Sequence, residues 1–81
     1  MSNGMKQDIS IGPNLQRLRK AAGLSQEKAA AQLQVMDLPI SREILSQMEL
    51  GKYSVRISVL LALKQIYHVS SFDEFFKDLS L

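Results

Sequence analysis

Between Ser41 and Lys52 the chain reads SREILSQMELGK, and Arg42, Glu43, Ser46 and Gln47 stand in it three or four apart. On a helix that spacing gathers a guanidinium, a carboxylate, a hydroxyl and a carboxamide on one face. Leu45 and Met48, three apart, take the opposite face and point into a core. Such a set does no covalent chemistry: the chain has no Cys and a single His, too few for a zinc site of four Cys/His ligands, and no Gly-rich phosphate loop or paired carboxylates sit in a plausible cleft. What these groups do well is hydrogen-bond to planar edges. Arg42 matches guanine O6 and N7, Gln47 matches adenine N6 and N7, and Glu43 accepts from cytosine N4, each good pair giving roughly 1–3 kcal/mol of discrimination. The polar face is therefore expected to read bases in DNA, with Ile44 available to a thymine methyl.

That face needs a scaffold, and the flanking sequence supplies one. Ser41 suits an N-cap and Gly51 a stop, which predicts a helix from Ser41 to about Leu50 followed by a turn over 51–55. Upstream, Pro13 opens a helix over about 13–22 with Leu15 and Leu18 inward, ended by Gly23. Ser25 caps the next, with Ala29, Ala30, Leu33 and Met36 on its inner side. Pro39 ends it near Met36 or Asp37 by disfavouring helical backbone at the residue before it. Downstream, RISVLLALKQIYHV places Ile57, Leu60, Leu61, Ile66 and Tyr67 at helical spacing, with Val59, Ala62 and Leu63 adding apolar surface, so this helix should be the centre of the core. Ser70 or Ser71 then caps SFDEFFKDL, where Phe72, Phe75, Phe76 and Leu79 make an apolar stripe and Asp73 and Glu74 suit the helix dipole. Five helices and no strand signal predict an all-α, five-helix bundle over 11–81. Residues 1–10, without periodicity, read as a flexible leader.

Composition agrees. Eighty-one residues make one domain, whose folding buries only about 60% of the unfolded surface. At 46% hydrophobic the chain is too apolar to be disordered, yet no apolar run approaches the ~20 residues of a membrane span. The N-terminus lacks the apolar stretch of a secretory signal, so a cytoplasmic location is expected. Net charge is +2, but residues 12–56 carry seven basic against four acidic side chains, and residues 57–81 two against three. The basic part contains the polar-faced helix, and the reading calls for no metal and no cofactor.

The runs LRKAAGLSQE and SREILSQMELGK, with VS followed by DE, make residues 11–79 resemble the phage repressor and Cro-like helix-turn-helix regulators, the lambda repressor-like fold. In that family the segment matching Ser25–Gln34 is the first motif helix and the one matching Ser41–Leu50 the recognition helix. The resemblance implies that Arg42, Glu43, Ser46 and Gln47 lie where family members contact bases, with Ser41 beside nearby phosphates. It further implies that Gln26 donates to a phosphate and that Lys52 and its loop, with Tyr53 and Arg56 following, lie against the backbone. Arg19 and Glu49 match a partly buried structural ion pair. Two features depart from the pattern. Seven residues separate Leu33 from Ser41 where the family has a tight turn, and Gln34 replaces the turn glycine, so this chain resembles a subset with a lengthened connection. Ala29 replaces a usual leucine, leaving packing to Val35, Met36 or Leu38.

Together these point to a sequence-specific transcriptional regulator of repressor type, not an enzyme, acting on double-stranded DNA as a homodimer on two half-sites. Several positions keep a second meaning. Glu43 meets a cytosine or its neighbour Arg42; Tyr53 and Arg56 reach the backbone or merely flank the loop. His68 caps a helix end. The phenylalanine stripe closes the core or meets a second subunit. The alternative at the level of function is a protein-interaction module or antitoxin-like accessory protein built on the same fold.

Overall fold

The structure, a computed structural model, describes residues 9–80. Most of the expected leader over 1–10 thus lies outside the described residues, whereas Ser10 is half-buried and its Oγ accepts the Gly12 amide at 2.9 Å. Four α-helices follow: α1 (Gly12–Ala21), α2 (Gln26–Val35), α3 (Arg42–Glu49) and α4 (Ile57–Ile66), then a 3-10 helix (Phe72–Phe76). No strand occurs among the described residues. α3 packs on both α1 and α2, α2 packs on α4, and the 3-10 helix packs on α1. Leu15, Leu33, Leu45, Met48, Val59, Leu63 and Phe75 fill the middle and are fully buried.

The expected count of five α-helices is corrected to four plus one short 3-10 helix. With three residues per turn, only Phe75 of the phenylalanine stripe goes fully inside, while Phe72, Phe76 and Leu79 stay partly exposed. What holds this segment is Asn14. Its Nδ2 donates to the carbonyls of Phe75 (3.0 Å) and Lys77 (2.9 Å), although an Asn in a first helical turn gives no sign of such a distant role. Arg17 adds a donation to the Glu74 carbonyl at 3.0 Å.

All four α-helices stop in the same way. A residue with positive φ takes the position after the cap, at Gly23, Asp37, Gly51 and His68 (φ 74°, 63°, 76° and 55°). Its N–H and the next one fold back onto the last turn: Asp37 to Gln34 and Leu38 to Leu33, both at 3.0 Å, and His68 to Gln65 and Val69 to Lys64 at 3.2 and 2.9 Å. Leu24, Leu38 and Val69, each just past a stop, then pack on the core. α2 is therefore ended by Asp37 turning left-handed, and Pro39 only follows that stop. Of the three residues expected to make up the packing at Ala29, Val35 and Met36 are exposed and only Leu38 packs on the core, where Ile40 is also buried. On α4, Ile57 and Leu61 also point outward, because α4 is covered on one side only.

Gly12 decides how α1 meets α3. A Cβ there would overlap the Glu49 carbonyl oxygen and stand 2.9 Å from that of Met48, so only glycine lets the start of α1 lie on the end of α3. Gly12→Ala should lower stability by roughly 1–3 kcal/mol through overpacking. His68→Gly should raise it by about 1 kcal/mol by relieving the left-handed strain. Urea unfolding measures both, and a Gly12→Ala midpoint equal to that of the unsubstituted chain would contradict this packing.

Candidate nucleic-acid interface

α3 is mounted by one face and open on the other. Ser41, in extended backbone, accepts the Ile44 amide on its Oγ at 3.1 Å and so starts the helix. Ile40, immediately before the cap, and Leu45, at the fourth helical position, are both buried in the core, in the relation of a hydrophobic staple. Leu45, Met48 and Glu49 anchor the inner face. Arg42, Glu43 and Gln47 are exposed and Ser46 is half-buried, all on one side. Ile44 is half-buried against the core, so only part of its side chain is left for a thymine methyl.

Arg42 Nη2 donates to Glu43 Oε2 at 3.3 Å in the free chain. The Glu43 carboxyl is held below the usual range, first by its own backbone N–H at the helix start, then by the charge of Arg42, with Ser41 contributing. Its negative charge is thus turned toward the helix terminus and Arg42, where it offsets unpaired N–H groups.

Beneath this face lies a buried ion pair. Arg19 Nε donates to Glu49 Oε2 at 2.7 Å and Nη2 to Oε1 at 3.1 Å, while Nη1 donates to the Leu24 carbonyl at 2.9 Å. The two side chains are 8% and 3% exposed. The hydrogen bond to Glu49 raises the Arg19 pKa further, against the cost of burial. Gln26, at the start of α2, donates its Nε2 to Glu49 Oε1 at 3.0 Å, so α1, α2 and α3 meet on one carboxylate. Burial, with the charge of Glu49 added, pushes the Tyr67 hydroxyl up; among the described residues its oxygen is the buried side-chain polar atom left without a partner.

The remaining candidates lie around this frame. Lys52 and Tyr53 are exposed in the loop leaving α3, and Arg56 is exposed just before α4, where its side chain caps nothing. The structure thus brings Arg42, Glu43, Ser46 and Gln47 together on α3 with Ser41 at its cap, sets Lys52 just past its end and links Gln26 through Glu49; Tyr53 and Arg56 stand in the loop beyond. The long connection from α2 to α3 is clamped by Gln34, whose Nε2 donates to the Ile40 carbonyl at 3.1 Å. Sequence reasoning missed both ends of this clamp, although an apolar residue just before a serine cap is a readable staple signal at Ile40.

A family profile described as a helix-turn-helix domain matches residues 10–74. The chain belongs to the helix-turn-helix domain family. The match spans all four α-helices and agrees with the resemblance to Cro and repressor domains. Neither curated proteins nor solved structures yield a match. A helix-turn-helix domain points to a DNA-binding regulator.

Arg19→Ala should cost about 3–5 kcal/mol, because it leaves the Glu49 carboxylate buried without its charge partner. Tyr67→Phe should stabilise by about 1 kcal/mol, since it removes a buried hydroxyl with no partner. Equilibrium denaturation tests both, and an Arg19→Ala midpoint unchanged from the parent would refute the ion pair.

Proposed function

We propose that this helix-turn-helix domain is a sequence-specific transcriptional regulator of repressor type, which lays α3 in the major groove and occludes a promoter. The observation that carries this reading is the division of α3: Leu45, Met48 and Glu49 are spent on the fold, and Arg42, Glu43, Ser46 and Gln47 are left facing outward. Arg42 reads guanine and Gln47 adenine, with Glu43 accepting from a cytosine or steering Arg42 and Ser46 adding a short contact. Phosphates on either side are held by Lys52, Tyr53 and Arg56, by Ser41 at the start of α3, and by the free N–H groups at the start of α2. Gln26 belongs to the same set. A carboxamide nitrogen carries two hydrogens, so one can stay on Glu49 while the other meets a phosphate.

In this reading residues 11–81 are the binding unit of a cytoplasmic protein, and the active species is a homodimer on two half-sites roughly 34 Å apart. The extents of one domain, 37 × 24 × 18 Å, suit two copies side by side at that spacing. The competing reading, a protein-interaction module, has in its favour the exposed Val35 and Met36 beside a cleft lined by Gln34, Asp37, Leu38, Pro39 and Ser41.

Selection from a random duplex pool, followed by titration against salt, separates the two. A palindrome should be enriched, and affinity should fall steeply as salt rises. On the selected site Arg42→Ala and Gln47→Ala should each cost roughly 1–3 kcal/mol and relax preference at one base pair, whereas Lys52→Ala should weaken all sequences alike and lower the salt slope by about 1. Failure to bind any duplex at low salt would overturn the DNA reading and favour the interaction module.

A further inference from the structure

Beyond the left-handed stop at Asp37 the chain makes one more turn before α3 begins. The Ile40 N–H returns to the Leu38 carbonyl at 2.8 Å, a three-residue turn around Pro39, whose ring fixes the middle φ. The Ser41 carbonyl goes forward and accepts the Leu45 N–H of α3 at 2.9 Å. Between them the Ile40 carbonyl turns back to α2 and accepts the Gln34 Nε2 at 3.1 Å. Among the described residues no backbone N–H of α2 donates to that carbonyl. The last peptide before α3 is thus tied to the helix behind it by a side chain. A glycine at position 34, the residue that the tight-turn pattern carries, would have no donor to offer.

We propose that Gln34 is a positioning residue for base reading: its bond to the Ile40 carbonyl sets the tilt of α3 and through it the reach of Arg42. The proposal rests on the regulator reading above and assigns part of its specificity to a residue outside the reading face. α3 is held at its two ends by unlike contacts. At Glu49 the hold is directional, with two N–H groups from Arg19 and one from Gln26. At the first turn it consists of Ile40 and Leu45 in the core, and apolar contact fixes depth without fixing direction. Gln34 supplies the direction at that end. Beside it a cleft of about 530 Å³, lined by Gln34, Asp37, Leu38, Pro39 and Ser41, leaves the start of α3 unsupported on that side.

Geometry sets the size of the effect. The eight residues of α3 make it about 12 Å long, so a tilt of about 10° about Glu49 carries its first turn by about 2 Å. A binding constellation tolerates only about 0.5 Å. Arg42, the first residue of α3, lies farthest from the Glu49 pivot, and Gln47 lies within a turn of it. Loss of the clamp therefore blurs what Arg42 reads before it affects what Gln47 reads. Lys52, just past the end of α3, is near the pivot and keeps its place.

Gln34→Met keeps side-chain length and helix propensity and loses only the donor, so it isolates the bond. In the full chain, residual dipolar couplings of the α3 amides measured against those of α1 and α2 should report a reoriented α3, with circular dichroism showing the fold kept. On the site that the parent chain selects, discrimination at the base pair read by Arg42 should fall at least about threefold and at the one read by Gln47 by less than about twofold. Affinity for unrelated duplex and its salt slope should stay as in the parent. Gln34→Ala should reproduce the pattern, and it takes over should methionine disturb α2. The proposal is overturned if α3 keeps the parent orientation in both variants, if discrimination on a site the parent does select is unchanged, or if it falls equally at both base pairs, as general loosening would make it. Unfolding of both variants also overturns it, since Gln34 would then hold the fold and not the pose. If the parent selects no duplex, the regulator reading fails and the couplings alone decide: a reoriented α3 supports the clamp, and an unmoved one overturns it.

Discussion

The Glu49 carboxylate is the constraint on which this small domain turns. It sits at the end of α3, almost wholly out of water, and receives two N–H groups from Arg19 and one from Gln26. A buried ion pair is weak evidence for stability, since desolvation offsets most of the attraction. Its effect here is on geometry. A carboxylate that must be met by donors from α1 and α2 leaves α3 few orientations, and the same guanidinium also closes the end of α1 through the Leu24 carbonyl. Helices of eight to ten residues, too short to be stable alone, are thereby locked into one arrangement.

Around that lock the parts follow. Gly12 brings the start of α1 onto the last carbonyls of α3, and Asn14 two residues later ties down the C-terminal 3-10 helix. One end of α1 thus holds both α3 and the segment that closes the core over Phe75. The apolar interior is standard packing; the specific placement of α3 comes from a glycine, an arginine and a glutamine that each meet its final turn.

Much of this was legible in the sequence. The caps at Ser25, Ser41 and Ser71, the stops at Gly23 and Gly51, and the inward Leu15, Leu33, Leu45, Met48 and Leu63 all follow from local rules of spacing and hydrogen bonding. So did the division of α3 into a packed and an open face. What escaped was long-range or conformational. Asn14 and Gln34 find backbone carbonyls that no local rule predicts, and Asp37 adopts left-handed backbone that its residue type does not demand, whereas His68 ends α4 as expected. Periodicity also overstates burial where a helix is apolar all round: it marks Ile57 and Leu61 as core, and only the three-dimensional cover shows that they are not. The phenylalanine segment was misjudged for a related reason, since a tighter helix changes which residues share a face.

The connection between α2 and α3 bears on how such a chain takes a change of length. It is pinned at Leu38 and Ile40, which pack on the core, and by the Gln34 carboxamide on the Ile40 carbonyl. Val35, Met36, Asp37 and Pro39 between or beside those pins face solvent. The pose of α3 is then set by Ile40 at one end and Glu49 at the other, while the length of chain joining it to α2 is free of that duty. A change of length confined to the exposed part of this connection therefore leaves both anchors of α3, Ile40 and Glu49, in place and is absorbed at the surface.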